Sequence, residues 1–137
     1  MKAVFISDAH LMRSADERYE RFIQFLADLE EGQIRSIVNA EELECAKTPI
    51  DDFYILGDLF DFWFCSKNHI HPELQLVIGK LVALQKSGVR ILLFEGNHDF
   101  YMKEYFHDVL GMEVFEEWAD IHLDGLHMLV AHGDTVD

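Results

Sequence analysis

Apolar runs that stop at a polar tip recur along this chain. Ala3-Val4-Phe5-Ile6 gives way to Ser7-Asp8-Ala9-His10, and Ile55-Leu56 to Gly57-Asp58-Leu59-Phe60-Asp61. The run from Val89 to Phe94 leads into Gly96-Asn97-His98-Asp99, and Met128-Leu129-Val130-Ala131 leads into His132-Gly133-Asp134. Short apolar runs of this kind predict buried strands, here at residues 3 to 7, 52 to 57 and 89 to 95. Between them the pattern changes to helical spacing. Tyr19, Phe22, Ile23, Leu26 and Leu29 predict a helix over residues 16 to 30, with Asp16 as N-cap and Gly32 past its end. Leu74, Leu76, Val77, Leu81 and Leu84 predict a second over residues 73 to 87, ended by Ser87-Gly88. Residues 101 to 110 are compatible with a third, closed by Gly111. Residues 113 to 116 and 120 to 124 read as short strands, and Leu123-Asp124-Gly125-Leu126 as a tight turn with residues 127 to 131 returning from it. Residues 33 to 48 are ambiguous: Ile34, Ile37, Val38 and Leu43 are spaced to line a short helix carrying Glu41, Glu42 and Glu44 outward, an extension without chemistry.

Strands alternating with helices predict an α/β fold with a parallel sheet and right-handed crossovers. In such sheets ligands bind beyond the carboxyl ends of the strands, so the four polar tips should converge on one site, with Asp58 its first candidate. At 137 residues the chain is one domain with room for a core. A formal charge of −15 weighs against nucleic acid or an anionic membrane as an electrostatic partner. Cys45 and Cys65 make no CxxC pair, which points to a reduced, cytoplasmic setting. No apolar run approaches the length of a membrane-spanning helix, and the apolar start is too short for a signal peptide.

Carboxylate, imidazole and amide oxygen donors together suit manganese, iron or zinc better than magnesium or calcium. A carboxylate such as Asp58 can bridge two cations, and two cations about 3.5–4 Å apart clamp a phosphoryl group for in-line displacement. Each fragment alone is weak; their order and strand-tip placement make the combination specific.

Asp8-Ala9-His10, Gly57-Asp58-Leu59-Phe60-Asp61, Gly96-Asn97-His98-Asp99 and His132 match, in order, the DxH, GDxxD, GNHD/E and lone-His blocks of the calcineurin-like metallophosphoesterase superfamily. The chain resembles that superfamily over essentially its whole length. Gly57-Asp58-Leu59-Phe60-Asp61-Phe62-Trp63 and His132-Gly133-Asp134-Thr135 bring it closest to the UDP-2,3-diacylglucosamine pyrophosphatase branch of lipid A synthesis. The resemblance implies two divalent ions, manganese first with iron and zinc as alternatives. It places Asp8, His10 and Asp58 on one ion and Asp58, Asn97 and His132 on the other. His98 would stabilise the transition state or protonate the leaving oxygen, oriented by Asp99, and Asp61 would hold the ligands in place. The implied substrate is a UDP-linked acylated sugar, with peripheral contact to the inner membrane. A general phosphodiesterase or phosphatase, or a catalytically silent interaction domain of the same fold, are the alternatives.

Two departures from the pattern stand out. The lipid A enzymes commonly carry Arg where this chain has His98. The closing GHxH block, which completes both metal shells, is not reached by Asp137, so the sequence resembles the first half of such an enzyme. Weak metal binding, low or no turnover of the 137-residue chain by itself, and self-association through an uncovered apolar face are the corresponding expectations. His69, His71, His107, His122 and His127 read as surface or packing residues, and Phe60, Phe62, Trp63 and Phe64 as core, or as an acyl-chain contact.

Overall fold

A computed structural model of the chain describes residues 2–7, 9, 11, 17–38, 41–47, 49–59, 72–95, 103–116 and 118–131. In chain order the elements are β1 (Ala3–Ile6), α1 (Glu17–Glu30), β2 (Gln33–Val38), β3 (Glu41–Lys47), β4 (Asp52–Ile55), a 3-10 turn (Pro72–Leu74), α2 (Gln75–Lys86), β5 (Arg90–Phe94), α3 (Lys103–Phe106), β6 (Glu113–Phe115), β7 (Trp118–Leu123) and β8 (Leu126–Ala131). β1, β4, β5 and β6 form a parallel sheet in the order β1-β4-β5-β6, and β2-β3 and β7-β8 are separate antiparallel pairs.

The central strands β4 and β5 are covered on both faces, which is why, past Asp52 and Arg90, they read as apolar runs rather than alternating ones. All four residues of β4 are buried. Because side chains alternate along a strand, Phe53, Ile55, Ile91 and Leu93 pack on one face with Tyr19, Phe22, Leu26 and Leu29 of α1 and Val77, Ile78, Leu81 and Leu84 of α2. Tyr54, Leu92 and Phe94 pack on the other with Ala119, Ile121 and Val130 of the β7-β8 hairpin. The two helices are joined by a hydrogen bond from the Val77 amide to the Tyr19 hydroxyl at 3.3 Å.

The α/β architecture and the C-terminal hairpin are as the sequence predicts, and four details differ. Residues 33 to 48 hold the β2-β3 hairpin, not a helix, with Gln33 opposite Lys47 and Val38 opposite Glu41. The stiff β-branched Ile34, Ile37 and Val38 favour a strand, and Gly32, at φ +71°, turns the chain out of α1 just before them. Leu76 is 51% exposed, and Ile78 takes its place inside; at about 100° per residue Val77, Ile78, Leu81 and Leu84 fall within an arc of about 120°, and Leu76 lies outside it. The third helix is a single turn, since His107, Asp108 and Val109 are poor helix formers and the chain turns there toward Gly111. Residues 113 to 115 join the main sheet as its fourth strand, Leu92 facing Glu113 and Phe94 facing Phe115.

At the N-terminal edge of the sheet the Tyr54 hydroxyl donates to Asp52 Oδ2 at 3.1 Å, and Arg90 Nη2 donates to Glu113 at 3.0 Å. Burial, then the Asp52 hydrogen bond, push the Tyr54 phenol from its ordinary 10.0 up to about 12. A folded value above the unfolded one means that folding holds the proton. The associated stability is therefore complete below pH 10 and is lost as the pH climbs toward 12. Thermal melts across that window should show wild-type protein losing stability steeply and Tyr54→Phe losing distinctly less; parallel curves would contradict this assignment.

Candidate metal centre

Ile6 is paired with Ile55, and Ile55 with Leu93, so β1, β4 and β5 finish level with one another. The Leu56 amide continues the ladder by donating to the Ile6 carbonyl at 2.8 Å. Beyond it the chain turns through two successive left-handed residues, Gly57 at φ +102° and Asp58 at φ +50°. Glycine takes that region freely; aspartate tolerates it better than most residues but stores strain there, on the order of 1 kcal/mol or more. Asp58 is also only 4% exposed. Burying a carboxylate costs free energy unless it is hydrogen-bonded, paired or held on a cation. Strain and burial at a strand tip are how a fold fixes a group whose position matters more than its comfort.

Next to Asp58 a short bridge ties the first two tips together. The Leu11 amide donates to the Leu59 carbonyl at 2.9 Å, and Leu11 and Leu59 are 1% and 0% exposed, both in the helix-side core. Leu11 directly follows His10 and Leu59 directly follows Asp58, so two apolar plugs anchor the DxH and GDxxD segments side by side. Ala9 packs against the same core. These plugs were not singled out in the sequence; the available signal was an apolar residue immediately behind each polar one.

The strands that precede the remaining tips are described up to Glu95 and Ala131. The Glu95 amide donates to the Phe115 carbonyl at 3.0 Å, carrying the β5-β6 pairing past the last strand residues toward Gly96-Asn97. Ala131, directly before His132, is paired with Trp118. Trp118 lies three residues past Phe115, within about 10 Å of chain, so the fourth run, although it belongs to a separate hairpin, also ends by the C-terminal edge of the sheet. Of the expected site residues, Asp58 is placed by the structure. Asp8, His10, Asp61, Asn97, His98, Asp99 and His132 lie outside the described residues, as do Asp16, Cys65, His69, His71 and the Phe60 to Phe64 cluster. His107, His122 and His127 are exposed. Among the described residues no group of three or more His, Cys, Asp or Glu side chains is arranged to hold a metal, and no helix is long and apolar enough to cross a membrane.

The family model for calcineurin-like phosphoesterases matches residues 1–137. The chain belongs to the calcineurin-like phosphoesterase family. Among its curated relatives, UDP-2,3-diacylglucosamine hydrolase of Aliivibrio fischeri is 33% identical over 136 residues, 99% of this chain and 49% of the relative. The enzymes of that name from Histophilus somni and Neisseria gonorrhoeae are 30% and 31% identical, over 98% and 96% of this chain and 50% and 48% of their own lengths. The chain thus spans about half the length of the curated relatives it matches.

Calcineurin-like phosphoesterases are hydrolases of phosphate esters or anhydrides that use divalent metal ions, and the edge described here suits that chemistry. It offers a buried carboxylate at a fixed backbone position, with Ala9 and Leu11 of the first tip packed beside it and the end of β5 beyond β4. Aspartate, histidine and asparagine oxygen or nitrogen donors match a manganese, iron or zinc ion.

Proposed function

We propose that this chain carries the metal-binding half of a phosphoric anhydride hydrolase whose substrate is a UDP-linked acylated sugar. The observation that bears most weight is Asp58: buried, left-handed in backbone, and tied through the Leu59-Leu11 bridge to the segment that contains Asp8 and His10. In this reading Asp8, His10 and Asp58 hold one ion, and Asp58, Asn97 and His132 hold the other. The two ions, when bound, supply a nucleophilic water at neutral pH and offset the charge that develops on the phosphoryl group. Asp58 would hold both ions from a backbone turn that fixes its position. His98 holds a proton at the departing oxygen, Asp99 fixes its ring orientation, and Asp61 steadies the ligands by hydrogen bonding. Manganese is the preferred ion, and the setting is cytoplasmic with peripheral contact at a lipid surface.

The substrate follows from relatives named for UDP-2,3-diacylglucosamine hydrolysis, and a manganese-supplemented substrate panel tests it. Release of UMP from UDP-2,3-diacylglucosamine, with little turnover of bis-p-nitrophenyl phosphate, is the expected result. Turnover of the diester alone would favour a general phosphodiesterase, the reading to which His98 in place of the branch's usual Arg lends weight.

A further inference from the structure

Little backbone holds β6, β7 and β8 to the rest of the molecule. β6 is three residues long and half-buried, the last strand in the order β1-β4-β5-β6. Among the described residues β7 and β8 pair with each other alone, and a two-stranded hairpin is marginally stable unless it packs on something. The core it packs on, where Ala119, Ile121 and Val130 meet Tyr54, Leu92 and Phe94, is the smaller of the two cores among the described residues. Side chains then add to the hold on β6. Phe115 stacks on Phe94 with ring centroids 5.0 Å apart. Arg90, the first residue of β5, grips Glu113, the first residue of β6, with two donors: Nε to Oε2, and Nη2 to Oε1 at 3.0 Å. Arg90 faces Asp52 in register and Leu92 faces Glu113. Residues two apart share a face, so the guanidinium reaches diagonally across the face that the hairpin covers. Its Nη1 lies 3.8 Å from Oδ2 of buried Asp52 on β4.

We propose that the Arg90-Glu113 fork is a salt-sensitive latch on a unit formed by residues 113 to 131, which opens from the sheet as one piece while β1, β4, β5, α1 and α2 stay folded. The three strands of the unit are consecutive in the chain, so they can leave together, and sub-global openings of this kind follow such contiguous pieces. Asp52 holds the guanidinium from the β4 side, which makes Arg90 the fixed half of the latch and Glu113 the moving half. A bidentate arginine-carboxylate pair holds better than an ordinary surface ion pair. Its two side chains are 53% and 44% exposed, so dissolved salt screens it, whereas the apolar packing of the hairpin is not screened. Ala131 closes the unit and directly precedes His132, a ligand in the function proposed above; on that reading, opening the latch also loosens the hold on that donor.

The test is amide hydrogen exchange of the 137-residue chain, read by mass spectrometry as protection of residues 113 to 131 relative to β1, β4 and α1. It is run without metal, so its outcome is separate from that of the proposed function, and circular dichroism checks folding. Glu113→Gln keeps the size of the side chain and leaves the Arg90-Asp52 contact alone. It should lower protection of residues 113 to 131 about three- to fivefold and leave the other elements as they were. Sodium chloride should lower the same relative protection more in wild type than in Glu113→Gln. In an Arg90→Gln background, Glu113→Gln should have no further effect. The proposal is overturned if Glu113→Gln leaves protection unchanged, if it loosens all elements alike, or if its effect is as large without Arg90 as with it.

Discussion

In a form that carries the closing GHxH block, Asp58→Asn is expected to cut metal-dependent turnover by at least about a hundredfold while shifting the melting temperature by no more than a few degrees. Asparagine accepts the left-handed backbone as aspartate does, so the turn at Gly57-Asp58 should persist, and the exchange is nearly isosteric in a site that is 4% exposed. What disappears is the negative charge and the second equivalent oxygen, the two properties that let one side chain bridge two cations. Groups that merely orient a metal ligand cost about 10- to 100-fold when removed, so the bridging ligand itself should cost more. Asp58→Val separates backbone from charge. A β-branched residue at φ +50° is badly strained, so this variant should lose both turnover and about 1–3 kcal/mol of stability. The measurements are manganese-dependent hydrolysis of a phosphodiester and thermal unfolding. Near-wild-type turnover in Asp58→Asn would remove Asp58 from the centre.

The second large effect is expected at Leu59. Leu59 is fully buried, and truncation to alanine should cost about 2–5 kcal/mol, a large share of what a domain of this size has. The informative comparison is with Leu81, equally buried at 0% but on α2, away from the sheet edge. Leu59→Ala and Leu81→Ala should be destabilised similarly in urea titrations. Only Leu59→Ala should also lose manganese affinity, about tenfold, at a temperature where both are folded, because Leu59 and Leu11 plug the two metal-bearing segments into the core. Equal manganese affinity in the two variants would show that the plugs serve stability alone.

Strand, helix and hairpin positions were legible because burial on two faces writes a strong pattern. β4 and β5 are unbroken apolar runs, α1 carries Tyr19, Phe22, Leu26 and Leu29 at helical spacing, and Asp124-Gly125 supplies the two positive φ angles of a tight hairpin. The β2-β3 hairpin was not legible, because Ile34, Ile37 and Val38 satisfy a helical spacing as well as a strand and only their branching at Cβ argues between the two. Leu76 shows the limit of hydrophobicity as a guide to direction: an apolar residue one place off the buried stripe faces water. At the site, residue types and order pointed to Asp58. The left-handed backbone and the Leu11-Leu59 bridge did not announce themselves, since φ angles and a long-range amide-carbonyl pair leave no periodic trace.

The most direct test of the metal centre is a crystal structure of the chain soaked in manganese, with anomalous diffraction locating the ions. Two manganese peaks about 3.5–4 Å apart, bridged by Asp58 and reached by Asp8, His10, Asn97 and His132 at the carboxyl edge of the β1-β4-β5 sheet, are the expected result. Manganese bound elsewhere with Asp58 untouched would contradict the account.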